Sequence, residues 1–261
     1  MQLPFFKYHG TGNDFVLVDG RNGDSHLELA QIVTLCDRHF GIGSDGLIII
    51  KNHADEDFEM VFYNPDGSQS FCGNGSRCAV AFARHLGMIS NHGSFKAIDG
   101  VHFFMMHDSG LMEKPEIHIR MRNVDAVETC GEDLLLNTGS PHYIVKCDDL
   151  KQLDIVPAAR AIRYNERFAQ AGVNVNFVRY GNGELWMRTY ERGVEAETLS
   201  CGTGVTAAAI SLAQNDRSLA EIRVHTEGGE LKVKLSQSDG GFDDIWLCGP
   251  AEKVFEGVIE L

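Results

Sequence analysis

Two cysteines open the same short pattern. Cys72-Gly73-Asn74-Gly75 runs into Ser76-Arg77-Cys78-Ala79-Val80-Ala81-Phe82-Ala83-Arg84, and Cys201-Gly202-Thr203-Gly204 runs into Val205-Thr206-Ala207-Ala208-Ala209-Ile210-Ser211-Leu212-Ala213. A Gly-rich turn followed by an Ala-rich segment that is apolar on nearly all faces predicts a buried helix with the cysteine at its N-terminus. Unsatisfied backbone N–H groups and the helix dipole favour negative charge there, which lowers a thiol pKa from about 8.5 toward neutrality. The glycines let the backbone approach a ligand closely, so the same N–H groups can hold a carboxylate.

One such thiol would suggest a nucleophile. Two in matching settings suggest a pair of bases. Inverting a carbon centre requires a proton to leave one face and another to arrive on the opposite face, which a thiolate and a thiol can do together. The two helix N-termini would meanwhile stabilise the enolate-like charge that develops on an adjacent carboxylate. Such thiols titrate as a coupled pair. Cys36, Cys78, Cys130, Cys147 and Cys248 lack the turn and read as buried, inert thiols. A thiol–disulfide carrier using Cys72 and Cys201 is the alternative from another class, and the absence of any CxxC pair argues against it.

The elements around these turns form two similar sets. Cys72 and Cys201 lie about half the chain apart, so the sequence reads as two halves built on one plan. Strands are predicted at Phe15-Val16-Leu17-Val18, Leu47-Ile48-Ile49-Ile50, Phe58-Glu59-Met60-Val61-Phe62-Tyr63 and Ile117-His118-Ile119-Arg120-Met121 in the first half. Tyr143-Ile144-Val145, Asn176-Phe177-Val178, Leu185-Trp186-Met187-Arg188 and Leu231-Lys232-Val233-Lys234-Leu235 are their counterparts in the second. Outer helices are expected over Glu28 to Arg38 and Ala158 to Ala161. The expected fold is of the α/β (α+β) class: a strand-rich wrap around one buried helix, occurring twice. The domains are set at 1–121 and 122–261, with roughly the last ten residues free to return to the N-terminal domain.

Bulk properties bound the function. The chain has 261 residues, is 43% hydrophobic and 23% charged, and is long enough for one large domain or two small ones. A net charge of -14 argues against a nucleic-acid or anionic-membrane surface. No run approaches the roughly 18 apolar residues of a membrane span, and Met1-Gln2-Leu3-Pro4-Phe5-Phe6-Lys7 lacks the layout of a secretory leader. Scattered cysteines, odd in number, fit reduced thiols in a cytoplasm. Cys72 and Cys78 have the wrong spacing for a zinc knuckle and no HExxH occurs, so no metal site is expected.

Along nearly its whole length the sequence resembles the diaminopimelate epimerase family. The match runs through Lys7-Tyr8-His9-Gly10-Thr11-Gly12-Asn13-Asp14-Phe15, Gly41-Ile42-Gly43-Ser44-Asp45-Gly46, Tyr63-Asn64-Pro65-Asp66-Gly67-Ser68 and the first CGxG turn. It continues through Asn137-Thr138-Gly139-Ser140-Pro141-His142, Val173-Asn174-Val175-Asn176-Phe177, Thr189-Tyr190-Glu191-Arg192-Gly193 and Glu197-Thr198-Leu199-Ser200 before the second turn. The resemblance implies two pseudo-symmetric domains, each a β-barrel-like wrap around a central helix, with the active site in a cleft between them. It implies interconversion of LL- and meso-2,6-diaminopimelate in lysine and peptidoglycan-precursor biosynthesis, without cofactor or metal, by a cytoplasmic homodimer.

By that resemblance Cys72 and Cys201 are the acid/base pair, with His142 and Glu191 orienting substrate and assisting proton movement. Gly73, Asn74, Gly202 and Thr203 hold the reacting carboxylate through their backbone, and Asn13, Asn64, Asn174 and Arg192 grip the distal end. A planar guanidinium and amides that both donate and accept suit that task. Ser140 and Gly46 stand where the family often places Asn and Gln, and the turn through Val194-Glu195-Ala196-Glu197 is one residue longer than usual. A two-thiol racemase of the proline type is the nearest alternative, and the asparagine set with Arg192 argues against so compact a substrate.

Overall fold

The structure is a computed structural model that describes residues 2–23, 27–107, 115–181 and 183–261. It divides into two compact units, Met1–Ile119 with Gly249–Leu261, and Arg120–Cys248.

In the first unit the elements run β1 (Gln2–Gly10), β2 (Asn13–Asp19), α1 (Leu29–Cys36), β3 (Leu47–Lys51), β4 (Phe58–Tyr63), α2 (Gly73–His85), β5 (His92–Ala97), β6 (Gly100–His107) and β7 (Glu116–Arg120). The second unit carries β8 (Val127–Cys130), β9 (Asp133–Asn137), β10 (Pro141–Lys146), α3 (Ile155–Arg163), β11 (Asn174–Gly181), β12 (Glu184–Glu191), β13 (Ala196–Thr198), α4 (Gly202–Asn215), β14 (Glu221–Thr226), β15 (Gly229–Ser238) and β16 (Gly241–Pro250). The last strand, β17 (Glu252–Glu260), belongs to the first unit and pairs antiparallel with β1, Gln2 opposite Glu260 and Phe5 opposite Gly257.

The two units share one topology. The first sheet is ordered β17-β1-β2-β3-β4-β5-β6-β7 and the second β8-β9-β10-β11-β12-β14-β15-β16. In both, neighbours are antiparallel except at two places, β2–β3 and β4–β5 in the first, and β10–β11 and β12–β14 in the second. Each parallel step is a crossover, and a crossover needs a helix to span it: α1 and α2 in the first unit, α3 and α4 in the second. The correspondence makes β17 the counterpart of β8.

Patterning explains which helix goes inside. The run Leu47-Ile48-Ile49-Ile50 is buried throughout, because β3 has a helix on each face. Leu47 and Ile49 join Val16, Val18, Ile32 and Leu35 beneath α1, which leaves Ile48 and Ile50 on the α2 side. Phe58, Met60 and Phe62 are buried and alternate with half-buried Glu59, Val61 and Tyr63. From Gly73 to Ala83 α2 is buried without interruption, and it packs on β1 to β4. α4 packs on β9 to β12, β14 and β15. Each sheet therefore wraps a central helix, and among the described pairings neither closes into a barrel. α1 and α3 lie outside, and α3 covers Val173, Val175, Phe177 and Tyr190 with Ile155 and Ala159.

Three expectations need adjusting. α3 runs over Ile155–Arg163, longer than Ala158 to Ala161. Cys130 and Cys147 are half-buried, whereas Cys36, Cys78 and Cys248 are buried as expected, because Cys130 ends a hairpin strand and Cys147 follows β10. α1 is shorter than Glu28 to Arg38, since Asp37 is already extended and its backbone N–H closes the helix on Val33 and Thr34.

Candidate active site

Cys72 is the N-cap of α2, with extended backbone (φ -133°, ψ 113°), and its sulfur accepts the Gly75 backbone N–H at 3.3 Å. On its other side the thiol faces Asn13 Oδ1 at 3.9 Å, and the same oxygen accepts Asn74 Nδ2 at 3.2 Å. Asn13 Nδ2 donates to Asp45 Oδ2 at 2.7 Å, which fixes the direction of that amide. Arg38 then spans Asp14 and Asp45, each at 2.7 Å, while buried Lys7 pairs with Asp14 and donates to the Gly43 carbonyl. Burial raises the Asp14 carboxyl, but hydrogen bonds from Arg38 and Lys7 outweigh it and hold the group below the usual carboxylate range.

Arg77, 0% exposed on α2, donates to Thr11 Oγ1 and to the Pro250 carbonyl. It thereby ties the β1–β2 turn that carries Asn13 to the chain entering β17. Asn64 Nδ2 donates to the Ser68 carbonyl and to the hydroxyls of Ser68 and Ser70, closing its own turn. Gly46 has no room for a side chain, because a Cβ there would lie 2.4 Å from the Phe62 ring and 2.8 Å from the Tyr63 carbonyl oxygen. Phe62 fills the space a longer residue would need.

Cys201 is the N-cap of α4 with nearly the same backbone, φ -121° and ψ 111°. Its sulfur lies 3.5 Å from Thr203 Oγ1. That hydroxyl is 2.9 Å from His142 Nε2, and Asn176 Nδ2 is 3.1 Å from His142 Nδ1. Thr189 donates to Asn176 Oδ1 at 3.0 Å, and Thr138 donates to the Thr203 carbonyl at 2.8 Å. Gly204 makes the crossing possible, since a Cβ there would lie 2.7 Å from Asn176 Oδ1 and 3.3 Å from His142 Cε1. Burial, with a smaller contribution from the Arg192 charge, pushes the His142 pKa down to about 3, so the imidazole is neutral near pH 7.

The β12–β13 turn holds the remaining candidates. Glu191 accepts the Thr198 hydroxyl at 3.0 Å. The Arg192 backbone N–H donates to Asn174 Oδ1 at 2.8 Å, and its guanidinium reaches the Ala171 carbonyl and the Ser140 hydroxyl. The turn is pinned through Glu195, whose carboxylate takes Arg163, Tyr164 and Tyr190. In the second unit Cys201, Thr203, His142, Asn174, Glu191 and Arg192 thus hang on strands and turns around one helix end. In the first, Cys72, Asn74 and Asn13 are linked at the end of α2, and Asn64 closes the turn that leads toward Cys72.

Asn176, Thr189 and Asp45 escaped the sequence reading as site residues. Asn174 and Asn176 are buried on one face of β11, while Val175 and Phe177 pack beneath α3 on the other. Two asparagines at a spacing of two in a buried strand are the available signal. Burial pushes the thiols of Cys36, Cys78 and Cys130 upward, as expected of unreactive cysteines. A cavity of about 880 Å³ in the second unit is lined by Trp186, Arg188, Thr198 and His225 among others, and includes neither Cys201 nor His142. Among the described residues no three His, Cys, Asp or Glu side chains gather as a metal site, and no helix is long and apolar enough to cross a membrane.

Comparison with known proteins places this arrangement. A family model described as "Diaminopimelate epimerase" matches residues 5–92 and 134–254. The chain is 44% identical over 261 residues to the diaminopimelate epimerase of Flavobacterium psychrophilum, covering 98% of this chain and 100% of that one. It is 38% identical over 275 residues to that of Aquifex aeolicus, covering 98% and 97%. Among solved structures, a PhzF-family phenazine biosynthesis protein of Bacillus anthracis has a TM-score of 0.79 at 13% identity, with both chains covered completely. A probable proline racemase of Agrobacterium radiobacter has a TM-score of 0.68 at 14% identity, covering 99% of this chain and 93% of that one. These two likenesses concern the fold.

Proposed function

The chain belongs to the diaminopimelate epimerase family, and from that premise we propose how its residues divide the work. It is an epimerase that interconverts LL- and meso-diaminopimelate in lysine biosynthesis. Cys72 and Cys201 carry the two proton transfers: one, as thiolate, takes the α-proton, and the other, as thiol, delivers a proton to the opposite face. The observation that supports this most is that each cysteine is the N-cap of the buried helix of its own unit, where the helix end favours a thiolate.

The backbone N–H groups of Gly73, Asn74, Gly202 and Thr203 would receive the reacting α-carboxylate and the charge that develops on it. Arg192, steadied by Ser140 and the Ala171 carbonyl, would meet the distal carboxylate, with Asn13 and Asn174 beside the distal ammonium and carboxylate. Asn64, whose Nδ2 is engaged in its own turn, would join that distal grip through its amide oxygen. Glu191 and His142 would orient the α-amino end and the reacting thiols, His142 remaining neutral. A cytoplasmic homodimer completes the reading, and sedimentation of the purified enzyme checks the dimer.

Turnover of LL-diaminopimelate in deuterium oxide tests the chemistry. Deuterium is expected at the inverted carbon, and Cys72→Ala and Cys201→Ala are each expected to lose nearly all epimerisation. Full turnover by either folded variant would remove that cysteine from the mechanism.

A further inference from the structure

The hydrogen-bond chain behind Cys201 has a fixed direction. Asn176 Nδ2 lies 3.3 Å from the Tyr143 backbone carbonyl, which can only accept. Its Oδ1 takes the Thr189 hydroxyl at 3.0 Å. These two partners leave one orientation of the amide, so Asn176 donates to His142 Nδ1. An imidazole that accepts at Nδ1 and stays neutral carries its proton on Nε2, and Nε2 then donates to Thr203 Oγ1. The Thr203 hydroxyl, having accepted that proton's bond, turns its own hydrogen to its other close neighbour, the Cys201 sulfur 3.5 Å away.

We infer that Asn176 is a positioning residue that sets the tautomer of His142 and makes the Thr203 hydroxyl a donor to the Cys201 sulfur, favouring its thiolate. The inference rests on the assignment of Cys201 to proton transfer, and it adds the direction of each bond and a task for Asn176 and the Thr203 side chain. It also changes the role of His142. An imidazole with both nitrogens engaged in this sense does not take the thiol proton; it passes on an orientation. The charge that acts on this hydrogen-bond chain is that of Arg192, felt at His142.

The direction reverses under a near-isosteric change. In Asn176→Asp the carboxylate accepts where the amide donated, so the His142 proton moves to Nδ1. Nε2 is then bare, Thr203 donates to it, and the Cys201 sulfur loses its hydroxyl donor. Thr203→Val removes the donor directly, whereas Thr203→Ser keeps it.

The test follows alkylation of the Cys201 peptide by iodoacetamide against pH, read by mass spectrometry on the full-length protein. Both Thr203→Val and Asn176→Asp are expected to raise the midpoint by about one pH unit, roughly a tenfold loss of rate at neutral pH. Thr203→Ser is expected to keep the wild-type midpoint. Midpoints unchanged in folded Thr203→Val and Asn176→Asp would overturn the inference. A second measurement reads the wild-type protein: nitrogen NMR of histidine-labelled enzyme, with the His142 signal identified by its loss in His142→Gln, should show Nε2–H. A His142 protonated at Nδ1 would overturn the inference. Neither readout depends on turnover, so full turnover by Cys201→Ala would refute the assignment of Cys201 to catalysis while leaving the bond direction standing.

Discussion

Burial of His142 should be visible as acid sensitivity. The imidazole is 0% exposed and its pKa is pushed from 6.5 down to about 3, chiefly by burial. Since the native value lies below the unfolded one, the unfolded chain takes up the proton first as pH falls. The contribution of the neutral imidazole is complete above the unfolded pKa of 6.5 and drains away as pH falls toward the native value. Within that window the loss is about 1.4 kcal/mol per pH unit, so about 2 kcal/mol is gone by pH 5. Urea unfolding of wild type and His142→Gln at pH 7.5 and pH 5 isolates this, because every other titrating group is common to both proteins. The wild type should lose about 2 kcal/mol more than the variant between the two pH values. Parallel losses would refute the reasoning, and would mean that His142 is protonated in the native protein at pH 5.

Three further outcomes follow from the same structure. Gly46→Ala places a carbon into the Phe62 ring and should destabilise the first unit by about 1–3 kcal/mol, with part of the loss recovered in a Gly46→Ala, Phe62→Leu double variant; thermal unfolding reads both. Arg192→Lys gives up the planar fork over Ala171 and Ser140, and KM for diaminopimelate should rise about tenfold with a smaller change in kcat; an unchanged KM would remove Arg192 from the distal grip. Glu195→Gln weakens the carboxylate that gathers Arg163, Tyr164 and Tyr190, so kcat/KM should fall through looser placement of Glu191 and Arg192, and a wild-type value would show that the turn holds without it.

The sequence made some of this legible for clear physical reasons. Both Leu47–Ile50 and Phe58–Tyr63 are present as the expected strands, and their unbroken and alternating burial follows from how many faces are covered. The two central helices were legible because a segment without a polar face has to be inside. α3 begins at Ile155 rather than Ala158, since Pro157 sits in the first turn, where no backbone N–H is needed. β17 gave little signal: most of its residues are exposed or half-buried, and its partner β1 lies at the other end of the chain. Around the helix ends, residue types could suggest donors and acceptors but not their direction. The Asn13 amide is turned by Asp45 in the loop before β3 and the Asn176 amide by the Tyr143 carbonyl on the neighbouring strand, contacts that no local pattern encodes.

The return of β17 also bears on how the chain is made. Opposite Gln2 stands Glu260, so the first unit is assembled from segments made before and after the second. During synthesis β1 has its partner β2 but an open outer edge, while all of the residues of the second unit emerge and can fold. Arg77 in α2 donates to the Pro250 carbonyl only when that later segment arrives. The order of completion is therefore the reverse of the order of translation: the unit whose synthesis starts first is the last to be sealed. Until then its exposed strand edge is the part of the nascent chain most in need of shielding from other chains.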